Sequence, residues 1–179
     1  YRLLTTEQLK TLFFPSNHQA YARLHVLYHN GYLDRLLRGV HADKMSTPML
    51  YVLDKRGAEL LRRERGIEVE WKKSLKGTTL TFLEHALDIN KIRVAVAKGA
   101  QASNYVLKQW IGENEVKAAY DFVTLRGESG RMRRISVIPD SYFVLETPRG
   151  IAHFLLEVDR GTETVGRFKT KIQAYQAYY

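Results

Sequence analysis

The side chains best suited to chemistry lie late in the chain: Asp140 in Pro139-Asp140, Glu157 and Asp159 in Glu157-Val158-Asp159, and Lys171 in a final amphipathic stretch. Carboxylates delivered by neighbouring strands can hold a divalent ion, magnesium or manganese. Such an ion lowers the pKa of a bound water and neutralises a phosphate under attack, while an ammonium group orients the water. Asp140 and Glu157 are the candidate metal ligands, with Asp159 beside them and Glu84 on an earlier segment as a further acid. Lys169 or Lys171 could return a cation to this point, and Lys171 shares a helical face with Tyr175 one turn on. If these acids are only structural, no cofactor is expected. Gly127-Glu-Ser-Gly130 lacks the lysine and helix of a phosphate loop, and none of the six histidines is expected to be paired at metal-binding spacing.

A second set of residues could read DNA. The periodic segment Thr5–Phe14 stops at Pro15, and Ser16-Asn17 can cap a second helix running to about Asn30, which Gly31 ends. Tyr32–Val40 and Pro48–Arg56 can then pair as strands around the polar loop His41–Thr47. Helix, turn, helix and wing is the layout of a winged-helix DNA reader. In the second helix, Ala20, Leu24, Leu27 and Tyr28 recur at core spacing. The opposite face offers Asn17, His18, Gln19, Ala22, Arg23 and His25 to base edges and phosphates, and Tyr21 can offer a hydroxyl to a phosphate. Lys44 in the loop, with Arg38 and Lys55 flanking it, would position the protein on the backbone. Arg35 and Arg38 alternate in direction, so they cannot both face DNA. The competing reading of this face is an ordinary solvated surface.

The elements that position these groups fall into two domains. Residues 1–66 form the winged helix, 67–78 a mixed-charge linker, and 79–179 an α/β domain, which makes the fold class α+β. A long helix is expected from Thr79 or Thr81 to about Ala102, with His85 packed rather than ligating. An edge strand near Tyr105–Ile111, irregular turns running on through Ala118–Val123, a turn at 127–130 and a strand at 138–145 follow. Thr147-Pro-Arg-Gly150 is then a hairpin turn, Ile151–Asp159 a central strand buried on both faces, and Thr164–Tyr178 a helix.

Composition limits the function classes. A formal charge of +9, from 28 basic and 19 acidic residues, fits a polyanionic partner. The excess is uneven: 14 minus 8, or +6, in residues 1–78, against 14 minus 11, or +3, in 79–179. Cysteine is absent, which excludes disulfides and thiolate metal sites, and no apolar run approaches a membrane span, so a cytoplasmic protein is expected. The chain lacks an initiator Met and ends inside a helical pattern, so a first helix before Tyr1 and a last strand after Tyr179 are expected.

Two resemblances extend this reading. The order of helix, strand, Pro139-Asp140, strand with Glu157-Val158-Asp159, and helix resembles the core of the restriction-endonuclease-like fold and its PD-(D/E)xK pattern. Asp159 stands where that pattern has lysine, which leaves open an active nuclease, an inactive relic, or another fold with structural acids. The whole chain resembles the bacterial replication-relaxation family. The resemblance is carried by Leu4-Thr-Thr-Glu-Gln-Leu9, Leu12-Phe-Phe-Pro15, Tyr51–Leu60, Leu83-Glu-His-Ala-Leu87 with Asn90 and Arg93-Val94, Pro139-Asp140, Phe154–Gly161 with Glu163, and Lys171 with Tyr175. It implies a protein of plasmid replication and DNA relaxation, with double-stranded DNA as partner. A homodimer on repeated half-sites and plasmid replication or mobilisation proteins are further expected partners. The alternatives are a metal-dependent nuclease or nickase and a transcriptional regulator.

Overall fold

A computed structural model describes residues 1, 3–36, 49–69, 79–127, 130–161 and 163–179. The protein is mixed α+β and divides into two compact units, Tyr1–Ala95 and Val96–Tyr179, with the division inside a long helix. Among the described residues no helix is long and apolar enough to cross a membrane.

The first unit runs β1 (Leu3–Thr5), α1 (Thr6–Phe13), α2 (Asn17–His29), β2 (Leu33–Leu36), β3 (Leu50–Leu53), α3 (Lys55–Arg65) and the start of α4 (Leu80–Ala102). Local chemistry accounts for the boundaries. Thr5 caps α1 through a reciprocal pair, its Oγ1 accepting from the Gln8 amide while its own amide donates to Gln8 Oε1. Ser16 accepts from the Gln19 amide at the start of α2. Gly31, at φ +71°, takes the left-handed conformation that ends it. The three strands form an antiparallel sheet in the order β1-β3-β2. Leu3 and Leu50 from this sheet pack with Leu83 and Leu87 of α4, and Asn90, one turn further along α4, donates to the Leu3 carbonyl at 2.6 Å. The beginning of α4 is therefore part of the first unit's core.

Gly57 sits where α3 crosses the strand ends. A Cβ there would meet the Tyr32 carbonyl oxygen and Leu53 Cδ1, so only glycine lets the two backbones approach. Arg56 donates to the Asn30 carbonyl at 2.8 Å and lies over the Tyr32 ring, while Arg35 lies 3.6 Å from the Tyr28 ring centroid. These two arginines are tied into the unit's own packing.

The second unit continues with β4 (Val106–Gly112), α5 (Glu113–Ala118), β5 (Asp121–Arg126), β6 (Met132–Val137), β7 (Ser141–Thr147), β8 (Gly150–Leu156) and α6 (Val165–Tyr178). β4-β7-β8 is one antiparallel sheet and β5-β6 a separate ribbon, against which α6 packs. Trp110, Phe143 and Phe154 are register partners or direct neighbours across β4, β7 and β8. Their rings stack at 4.9 and 4.7 Å, with interplanar angles of 9° in both pairs.

Four sequence expectations need correction. The apolar run Ile151–Asp159 is not a central strand buried on both faces: β7 is central, and β8 lies at the sheet edge with Ile151 63 % exposed. The strand expected over Pro48–Arg56 ends at Leu53, because Asp54 caps α3 by accepting from the Lys55 amide, so Lys55 and Arg56 are helical. The segment before β5 holds a short helix, α5, where irregular turns were expected. His25 and His29 do meet, one turn apart on α2, with ring centroids 4.1 Å apart.

Candidate functional site

Hairpin β7–β8 brings the late acids to one place. Its register sets Ser141 opposite Leu156, which leaves Asp140 and Glu157 side by side just beyond the paired strands. Two bonds lock that end: the Asp140 amide donates to the Leu156 carbonyl at 2.9 Å, and the Val158 amide donates to Asp140 Oδ2 at 2.7 Å. α6 returns to the same end. Thr164 caps it, accepting from the Arg167 amide, and one turn of helix then separates Lys171 from Tyr175 on the face toward Glu157.

Lys171 Nζ lies 2.7 Å from Glu157 Oε2 and 3.1 Å from Glu163 Oε1. The Tyr175 hydroxyl donates to Glu157 Oε1. Burial pushes the Glu157 carboxyl above its usual range and nearby Asp140 adds to that, against the lowering effect of Lys171 and Tyr175. Burial pulls Lys171 down, but its bonds to Glu157 and Glu163 and their charges carry it above its ordinary value. Tyr175 is pushed well above the usual phenol range by burial first, then by its bond to Glu157 and that group's charge. The phenol and the ammonium are thus held protonated as donors.

The acids of this cluster are engaged by protein donors. Both Glu157 oxygens and Asp140 Oδ2 already accept from protein donors. Among the described residues no group of three or more histidine, aspartate or glutamate side chains is placed to hold a metal. Asp159 is exposed, and its Oδ1 accepts from the Gly161 amide within its own loop. Glu84 belongs to the first unit. The structure therefore brings together Asp140, Glu157 and Lys171, and adds Tyr175 and Glu163 as partners. The spacing of Lys171 and Tyr175 was visible in the sequence, but no local signal pointed Glu163 at Lys171.

The residues expected to meet DNA divide by what is described. Asn17, His18, Gln19, Tyr21, Ala22, Arg23 and His25 are all exposed on α2, while Ala20 and Leu24 are buried beneath them. Lys55 is exposed at the start of α3 and lies 3.8 Å from Glu59. Arg38 and Lys44, the loop 41–47 and most of the linker 67–78 lie outside the described residues.

A mixed α+β chain with a helical pair ahead of a small antiparallel sheet, followed by an acid-lined hairpin, is the class these observations define. The chain belongs to the replication-relaxation family, which it matches over residues 1–179. Membership suggests a role in plasmid replication or relaxation. No curated protein and no solved structure matches it.

Proposed function

We propose that this chain is a sequence-specific double-stranded DNA-binding protein of plasmid replication or relaxation, and that its first unit is a winged helix reading the major groove through α2. The observation that supports this most is the division of α2, where the buried Ala20 and Leu24 stand against seven consecutive or near-consecutive exposed positions, Asn17–His25. That helix follows α1 after a tight turn and precedes an antiparallel strand pair, the order in which a recognition helix is presented. The early positions His18, Gln19, Ala22 and Arg23 would reach bases, and Lys55 the backbone. A homodimer would place two copies of α2 one helical turn apart on a repeated site.

The test begins with selection of bound fragments from a random duplex library by the full chain. On the selected site, Gln19→Ala and Arg23→Ala should each reduce discrimination against mismatched sites by about 1–3 kcal/mol. Lys55→Ala should weaken all sequences alike. Equal losses for selected and random DNA in all three variants would contradict the orientation given to α2.

We assign the Glu157 cluster a scaffold role in this protein, as the tie that fastens α6 to the end of hairpin β7–β8. In this reading any kinship of the second unit to restriction endonucleases is to a form without the metal site. The engagement of both Glu157 oxygens by Lys171 and Tyr175 supports it.

A further inference from the structure

The β5–β6 ribbon presents a surface that reading through α2 leaves unused. Its register sets Phe122 opposite Ser136, Thr124 opposite Arg134, and Arg126 opposite Met132. Directly opposed residues share one face of an antiparallel pair. All six of these are exposed, and the face holds two guanidinium groups and no carboxylate. The other face carries Val123, Leu125, Ile135 and Val137, which are half-buried or buried, and α6 contacts both strands. One side of the ribbon is thus anchored and the other is open.

Three features make the open side suited to a polyanion. Arg131, exposed just beyond the last strand pair, adds a third guanidinium at the ribbon's end beside this face, and its carbonyl accepts from the Gly127 amide at 2.8 Å. Among the described residues no ion pair engages Arg126, Arg131 or Arg134. Thr124 and Ser136 add hydroxyls between the cations. The chemistry favours a duplex over unstacked bases. The Phe122 ring, the natural stacking platform, is already covered by Arg134 at 3.6 Å and flanked by Tyr120 at 5.0 Å. A two-stranded ribbon is also of a width that the major groove of B-DNA admits.

We propose that the outward face of β5–β6, together with the exposed end of the ribbon beside it, is a second contact for duplex DNA, in which Arg126 and Arg134 on the face and Arg131 at the end meet backbone phosphates. It stands independently of α2. The test uses the full chain and a fluorescein-labelled duplex of random sequence, titrated by anisotropy between about 50 and 200 mM salt. Combining Arg126→Gln, Arg131→Gln and Arg134→Gln should weaken binding roughly tenfold or more and make the plot of log K against log salt shallower by about 2–3. A control with the same charge change, Lys98→Gln, Lys108→Gln and Lys117→Gln, should stay within about twofold of the parent. Because Arg134 packs on Phe122, the pair Arg126→Gln and Arg131→Gln is measured as well, with circular-dichroism melting to verify folding. It should flatten the slope by about 2. An unchanged slope in that folded double variant, an equal loss in the control, or tighter binding to a single strand of the same length would each overturn the proposal. Variants of α2 are distinguishable, since they should change site preference and leave the slope on random DNA nearly intact.

Discussion

Replacing Lys171 by Met removes the ammonium 2.7 Å from Glu157 and 3.1 Å from Glu163, and leaves Glu157, only 16 % exposed, with Tyr175 as its remaining side-chain donor. Orphaning one partner of a fully buried ion pair costs about 3–5 kcal/mol. Lys171 keeps 35 % of its side-chain exposure, so water screens the site and the expected loss falls to about 1–2 kcal/mol. Urea unfolding of Lys171→Met, Glu157→Gln and the double variant should give a coupling energy of about 1 kcal/mol. Coupling within about 0.3 kcal/mol of zero would refute the idea that the pair acts as a tie. The pH dependence supplies an independent arm. Both Lys171 and Tyr175 titrate above their ordinary values of 10.5 and 10.0, so the folded chain keeps protons there that the unfolded chain releases. Their stabilisation is complete below those values and is lost as pH rises above them, at about 1.4 kcal/mol per pH unit for each proton retained. Stability above pH 10.0 should therefore fall less steeply in Tyr175→Phe than in the parent. A parallel fall in both would show that Tyr175 is not held protonated by this site.

Four further outcomes are expected from the contacts described above. Carbon-detected NMR titration should place the Glu157 midpoint above 4.5, so that this group's own contribution to stability is present below that value and lost as pH rises through the midpoint; a midpoint below 4.5 would mean that its donors outweigh burial. Asn90→Ala, which leaves the buried Leu3 carbonyl without that donor, should cost about 1–3 kcal/mol in denaturant unfolding. Gly57→Ala should cost about 1–3 kcal/mol, because its methyl meets the Tyr32 carbonyl and Leu53, and an unchanged melting temperature would contradict that close approach. Purified parent protein with supercoiled plasmid and magnesium or manganese should give no nicked product; nicking abolished by Asp140→Ala and Glu157→Ala would restore the nuclease alternative.

What could be read from the sequence was what local chemistry decides. Ser16 before Asn17 caps α2 as its type and place suggest, whereas Thr5 and Thr164, expected inside their helices, prove to be the caps; the 3.6-residue spacing of Ala20 and Leu24 marks the inner face of α2. Strand order was not legible. An apolar run such as Ile151–Leu156 looks the same in a central strand as at an edge, and β8 is an edge because β4 pairs with the other side of β7. Short elements were lost for a related reason: the three residues of β1 and the six of α5 are too few to show a period. Lys55 lies in a helix because the Asp54 carboxylate caps it, a role that the strand-like pattern of Pro48–Leu53 conceals.

The candidate site belongs between these extremes. Its residues were visible one by one, yet their meeting depends on a register and a returning helix. The turn at Pro148-Arg149 joins Thr147 to Gly150, and from there the pairing runs unbroken to Ser141 and Leu156. Inserting a single residue into either strand would turn its side chains to the other face and separate Asp140 from Glu157. Ser141, fully buried at the first paired position, donates to the Asp140 carbonyl and resists such a slip. The acids thus sit where register is most tightly specified, and α6 supplies the cation and phenol that answer them. Under the proposed function, that makes the cluster a fixed joint holding α6 and, through α6, the ribbon whose arginines face outward.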